Sequence, residues 1–148
     1  MADDFNGFTI TRVFDAPREH VWREWTEPER FADWFGGVVS AVPLDSVTMD
    51  VRVGGEWRLT MHTVPGRGES NWYGEYREVV PPERLVMTMT DQPDRDRFAL
   101  ITVELTDLGD GRTEMFFEQR DDMPPEHHEP ARNGWGTFFD RVAERLAA

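Results

Sequence analysis

Four histidines, 29 carboxylate side chains and no cysteine bound the chemistry open to this chain of 148 residues. Without cysteine there is no thiol nucleophile, no zinc-thiolate centre and no disulfide framework. His127-His128, flanked by Glu126 and Glu129, is the one cluster of metal-ligating types. Adjacent residues seldom aim both rings at one ion, and no His-x-x-x-His spacing accompanies them, so no metal is expected. His20, beside Val21, and His62, on the polar side of an alternating segment after Met61, read as solvated. Gly54-Gly55 is followed by neither a lysine nor a helix start, and so reads as a turn, not a phosphate cradle. A carboxylate forced inward would have its pKa raised by desolvation and could act as an acid or base. Glu104, sharing a face with Phe98, Leu100 and Thr102, and Glu118 are the two to check, with exposure the simpler expectation. Tyr76 is the remaining group for proton transfer. No catalytic residue and no cofactor is assigned.

The stronger signal is apolar and aromatic. Trp57, Leu59, Met61, Trp72, Tyr76, Met87, Met89, Met115, Phe117, Trp135, Phe138, Phe139 and Val142 are large or adaptable side chains expected on one interior surface. Gln119 belongs with them, and Tyr76, Gln119 and Arg120 are placed to add a few polar contacts. That composition is typical of a pocket for a small hydrophobic molecule, although an ordinary core uses the same residues.

The elements that would carry these residues follow from hydrophobic periodicity. Phe8 to Phe14 alternates, with Phe8, Ile10 and Phe14 on one face and Arg12 interrupting it, as in a half-buried strand. Asp15-Ala16-Pro17 predicts a helix start capped by Asp15, with Val21, Trp22 and Trp25 turned inward. Thr26-Glu27-Pro28-Glu29 matches a capping box for a second short helix bearing Phe31, Trp34 and Phe35 and ended by Gly36-Gly37.

From Val38 the period becomes two. Val47, Met49, Val51 and Val53, then Trp57, Leu59 and Met61 across Gly54-Gly55, predict a hairpin. Pro65 to Gly68 reads as a turn. Trp72 to Val80 is the next strand, with Gly74 marking a bulge or a close backbone approach. Strands over Leu85 to Thr90, Phe98 to Thr106 and Arg112 to Gln119 follow, separated by the loop Asp91 to Arg97 and the Asp110-Gly111 turn. Asp121 to Arg132, with three prolines, reads as a connection. Asn133 to Ala148 closes the chain as an amphipathic helix: Trp135, Phe138, Phe139, Val142 and Leu146 form its stripe, and Arg141, Glu144 and Arg145 lie opposite.

Meandering strands with one apolar face imply a curved antiparallel sheet, and the last helix needs that face. A twisted sheet meeting a straight helix leaves room for a cavity between them. The class is α+β, and residues 1–148 are expected to form one domain. A net charge of −13 repels phosphate backbones and anionic lipids, so neither nucleic acid nor a membrane surface is an expected partner. No apolar run is long enough to span a membrane, and the first residues do not resemble a secretory signal; a cytoplasmic location is expected.

Several of these segments together resemble the START-like (SRPBCC, Bet v 1-like) superfamily, and within it the activators of heat-shock protein 90 ATPase and their homologues. They are Phe14-Asp15-Ala16-Pro17 with Val21-Trp22, Trp25 to Glu29, Trp34-Phe35, Val53 to Arg58, Gly74 to Val79, Pro82 to Val86, and Gly134-Trp135. The resemblance spans nearly the whole chain. It implies the helix-grip fold: a curved antiparallel sheet wrapped around a long C-terminal helix, with two short helices after the first strand. It also implies an apolar cavity for a lipid-, steroid- or polyketide-like molecule. The alternatives are a co-chaperone-like module stimulating a chaperone ATPase, a cyclase- or aromatase-like enzyme using the same cavity, and a homodimer without a ligand.

Overall fold

The computed structural model describes residues 6–36, 41–62, 68–91 and 97–147. The first strand, β1 (Gly7–Phe14), leads through helices α1 (Arg18–Thr26) and α2 (Pro28–Trp34) and a short 3-10 turn to β2 (Thr48–Met49). The chain then meanders through β3 (Glu56–His62), β4 (Glu69–Val80), β5 (Arg84–Met89), β6 (Ala99–Gly109) and β7 (Arg112–Arg120). A second 3-10 turn, Pro125–His127, precedes the final helix α3 (His128–Ala147). The seven strands form one antiparallel sheet in the order β1-β7-β6-β5-β4-β3-β2. Breaks in register between Tyr76 and Glu78 and between Asp107 and Gly109 add local twist, and α3 lies on the apolar face of the curved sheet. This is the helix-grip arrangement.

Register explains which residues face inward. Phe8, Gln119, Ile101, Met87 and Tyr76 stand side by side across β1, β7, β6, β5 and β4. Ile10, Phe117, Val103 and Leu85 form the adjoining row. Aromatic rings fill the seam between these rows and the helices. Trp135 lies 4.7 Å from Phe117, Trp25 sits 4.9 Å edge-on to Trp34, and Phe139 is 5.2 Å from Phe117.

Gly74 marks a close backbone approach. The Trp57 indole on β3 passes over it to donate to the Thr88 carbonyl on β5 at 3.0 Å. A Cβ at Gly74 would stand 1.9 Å from that carbonyl oxygen and 2.0 Å from the indole nitrogen. Only a residue without a side chain permits the crossing. The Asp110-Gly111 turn is also as expected, with φ of 56° and 73° at its two residues.

Several local expectations are corrected. Asp15 does not cap α1: Pro17 holds the N-cap position and no side chain caps it. The capping box is absent as well, because Glu27 occupies the N-cap of α2 and the Thr26 hydroxyl turns back to donate to the Trp22 carbonyl at 2.9 Å. Residues 51–53 are not strand. The chain turns from Asp50 onward, with Arg52 and Gly55 amides bonded within the turn and the Gly54 amide donating to Tyr76, so Val53 is exposed. The final helix starts five residues early, at His128, shortening the connection. Gly37, Val38, Pro65 to Arg67, most of the Asp91 to Arg97 loop and Ala148 lie outside the described residues.

The polar side of α3 is not simply solvated. Arg145 reaches α1, its Nε donating to Glu24 Oε1 at 2.6 Å, and also bonds Asp33 of α2. Arg141 bonds Asp33 at 3.1 Å, and Arg30 approaches Glu24 at 3.5 Å. Glu24 is 1% exposed, and it rather than Glu104 or Glu118 is the carboxylate drawn inside. Its position three residues after Val21 and beside Trp25 places it on the inward stripe of α1. Glu104 stands on the outer face, half-exposed and paired with Arg84, while Glu118 accepts from Arg120 at 3.0 Å.

Candidate functional site

At one rim of the sheet, beside the inward row that begins at Phe8, lies a hollow of about 390 Å³, to which that row contributes Gln119. Trp72 of β4, Met89 of β5, Ala99 of β6 and Gln119 of β7 supply its sheet wall, and Asp121 to Met123, leading toward α3, supply the opposite wall. Arg97 and Phe98 complete the rim, with Arg97 Nε donating to Asp122 at 2.7 Å. That bond raises the Arg97 pKa and lowers the Asp122 carboxyl below its ordinary value. The volume and mixed lining are those of small-molecule sites.

A chain of hydrogen bonds ties this hollow to α3. Trp135 Nε1 donates to Gln119 Oε1 at 2.9 Å, and Gln119 Nε2 donates to Asp121 Oδ2 at 2.8 Å. An indole N–H can only donate, so the Gln119 amide has one orientation. Asp121 Oδ1 accepts from the Met123 amide at 3.1 Å and lies 2.8 Å from His128 Nε2, which therefore carries the proton. Asn6 clasps the same segment, donating to the Asp121 and Met123 carbonyls at 2.7 and 2.9 Å. His128 is thus a supporting residue with one carboxylate partner, in ring contact with Phe8. His20 and His127 are exposed, and His62 lies on an exposed edge 3.8 Å from Glu69. Among the described residues, no three His, Cys, Asp or Glu side chains are grouped to hold a metal ion.

The residues expected to face a ligand divide into three sets. Trp72, Met89 and Gln119 meet at the hollow. Leu59, Met61, Tyr76, Met87, Met115, Phe117, Trp135, Phe139 and Val142 are buried in the core, where they pack on one another and on α1 and α2, with Phe138 half-buried against them. Trp57 is buried too, and contributes to a separate hollow of about 560 Å³ whose lining includes Arg58, Tyr73, Glu75 and Thr88 of the sheet's outer side. Arg120 is corrected: it alternates with Gln119 and so projects from the outer face, beside Glu118. Asp121, His128 and Asn6 were not identified as site residues in the sequence. The signal for Asp121 is its continuation of the alternation Phe117, Gln119, Asp121 past the end of the strand.

Tyr76 has a distinct environment. Its side chain is fully buried, and its hydroxyl has no hydrogen-bond partner among the described residues. Burial, and secondarily the negative charge of Asp50, push the phenol well above its ordinary pKa. At neutral pH it is a neutral donor and a poor base. Glu24, buried more deeply than Asp121, is engaged by Arg145 and Arg30 and belongs to the helix junction.

Comparison with known proteins came to a consistent result. The sequence profile of the family described as Activator of Hsp90 ATPase homolog 1-like protein matches residues 15–147. No curated protein matches the chain. Among solved structures, a protein of Chromobacterium violaceum is 25% identical, with a TM-score of 0.83 and coverage of 97% of this chain and 99% of the other. A Nitrosomonas europaea protein, 23% identical, gives a TM-score of 0.82 over 99% and 97% of the two chains. The AHSA1 protein of Silicibacter pomeroyi, 21% identical, gives 0.80 over 95% and 96%. No helix among the described residues is long and apolar enough to cross a membrane.

Proposed function

The chain belongs to the family of activator of Hsp90 ATPase homolog 1-like proteins, and from that premise we propose that it binds a small apolar molecule in the hollow at the sheet rim. One observation carries the reading: Trp72, Met89 and Ala99 form an apolar wall beside Gln119, whose amide is held in a single orientation by Trp135. Small-molecule sites combine apolar area with a few polar groups fixed in direction. Gln119 also links the hollow to α3, so a ligand seated there would lie where the sheet and the chain entering the helix meet.

The test uses decyl chains with different head groups: methyl decanoate, decanoate and decyltrimethylammonium. Each is titrated while tryptophan fluorescence and backbone amide shifts are followed. Saturable changes centred on Trp72, Met89, Ala99 and Gln119, lost in a Met123→Trp variant that fills the exposed rim, support the reading. An absence of saturable change with all three probes overturns it.

The second reading, stimulation of a chaperone ATPase, rests on the family description and on the net charge of −13, which suits a basic partner surface. It predicts a salt-sensitive increase in the ATPase rate of an Hsp90-type chaperone on addition of this protein, and fails if the rate is unchanged at low salt.

A further inference from the structure

The head-group chemistry of the ligand can be read from what the rim hollow leaves unpaired; this step rests on the proposed binding reading. Gln119 is 7% exposed and lines the hollow. Its Oε1 is taken by the Trp135 indole, and one Nε2 hydrogen goes to Asp121. No described residue accepts the second Nε2 hydrogen. A nearly buried N–H without a partner is a strong preference for an acceptor, because burial has removed most of the water that would otherwise satisfy it.

Asp121 offers the opposite capacity only in appearance. Its Oδ2 accepts from Gln119, and its Oδ1 accepts from the Met123 amide and faces His128 Nε2. Both lone pairs of Oδ1 are therefore used and Oδ2 keeps one on a side chain only 5% exposed, which leaves Asp121 little capacity for a cationic head. Charge narrows the choice further. Among the described residues, Asp91, Asp121 and Asp122 line the hollow against one arginine, Arg97, which is itself paired with Asp122. An anionic head would enter against this excess of negative charge and against the charge of the whole chain.

The hollow thus presents a spare donor in a negative field. We infer that it selects an uncharged apolar molecule bearing a carbonyl oxygen, such as an ester, ketone or amide, and disfavours the carboxylate of the same chain length. Gln119 is the specificity-determining contact, and Trp135 is the residue that positions it.

The experiment compares the dissociation constants of methyl decanoate and decanoate for the full-length protein, first unmodified and then in two variants. The ester is expected to bind about tenfold more tightly than the carboxylate, the scale of a like-charge contact partly screened by water. Gln119→Met should weaken the ester about fivefold, the worth of one hydrogen bond, with little effect on the carboxylate. Asp122→Asn, a change at an exposed position, should strengthen decanoate binding by freeing Arg97. Equal or tighter binding of decanoate by the unmodified protein overturns the inference while leaving the binding reading intact. Binding of neither probe, nor of decyltrimethylammonium, overturns both. Should Gln119→Met fail to fold, the comparison in the unmodified protein and in Asp122→Asn still decides.

Discussion

Replacing Tyr76 by phenylalanine should make the protein more stable, and the structure states by how much. The hydroxyl is buried and lacks a partner among the described residues, on a side chain that belongs to the hydrophobic core. An unsatisfied buried polar group costs about 1–3 kcal/mol, and removing one oxygen leaves only a small void, so a net gain of about 1 kcal/mol is expected. For a chain of this length that raises Tm by about 3–4 °C. The alkaline limb gives an independent reading. The folded-state pKa of Tyr76 is raised, so its contribution to stability is complete below the unfolded value and is lost as pH rises toward the folded one. From about pH 10 upward the folded state holds a proton that the unfolded chain releases, and stability falls by about 1.4 kcal/mol per pH unit. All 16 basic side chains other than histidine are arginine and there are only two tyrosines, so lysine titration does not obscure this window. Urea unfolding of the Tyr76→Phe variant at neutral pH and at a series of alkaline values tests both points. A loss of more than about 1 kcal/mol at neutral pH would show that the hydroxyl is satisfied, and an unchanged alkaline slope would refute the titration argument.

Three other substitutions probe the framework around the site. Gly74→Ala should cost about 3 kcal/mol, measured by chemical denaturation, because the new methyl enters the path of the Trp57 indole and breaks its bond to Thr88. Glu24→Ala strands Arg145 at the junction of the three helices. Since Asp33 remains to pair with it and Arg145 is 21% exposed, the loss should be about 2–3 kcal/mol, below that of a sealed ion pair, with Glu24→Gln milder. Trp135→Phe keeps the ring but removes the donor that orients Gln119. It should lower stability by about 1 kcal/mol and release the Gln119 side-chain amide resonances from their single environment in NMR spectra.

Alternation and helical spacing were enough to determine the order of elements and the inward faces of β3, β5 and β7, and to single out Gly74, because period two and period 3.6 are local properties of the backbone; on β6 they named only the face of Phe98, Leu100 and Glu104, which proves to be the outer one. The same periodicities gathered Trp72, Met89 and Gln119 on one surface. Helix caps and ends were less legible. Asp15 and Thr26 have suitable side chains, but the path of the chain into each helix gives the amides other surroundings. Three features depend on residues far apart in sequence and could only be decided by the tertiary structure. The Glu24–Arg145 pair joins positions 121 residues apart, Asn6 reaches across to Asp121, and Trp135 meets Gln119 only when α3 lies along β7. Pattern tells a polar residue which face it occupies. Whether it finds a partner there, as Glu24 does, or is left without one, as the Tyr76 hydroxyl is, depends on what the folded chain brings opposite it.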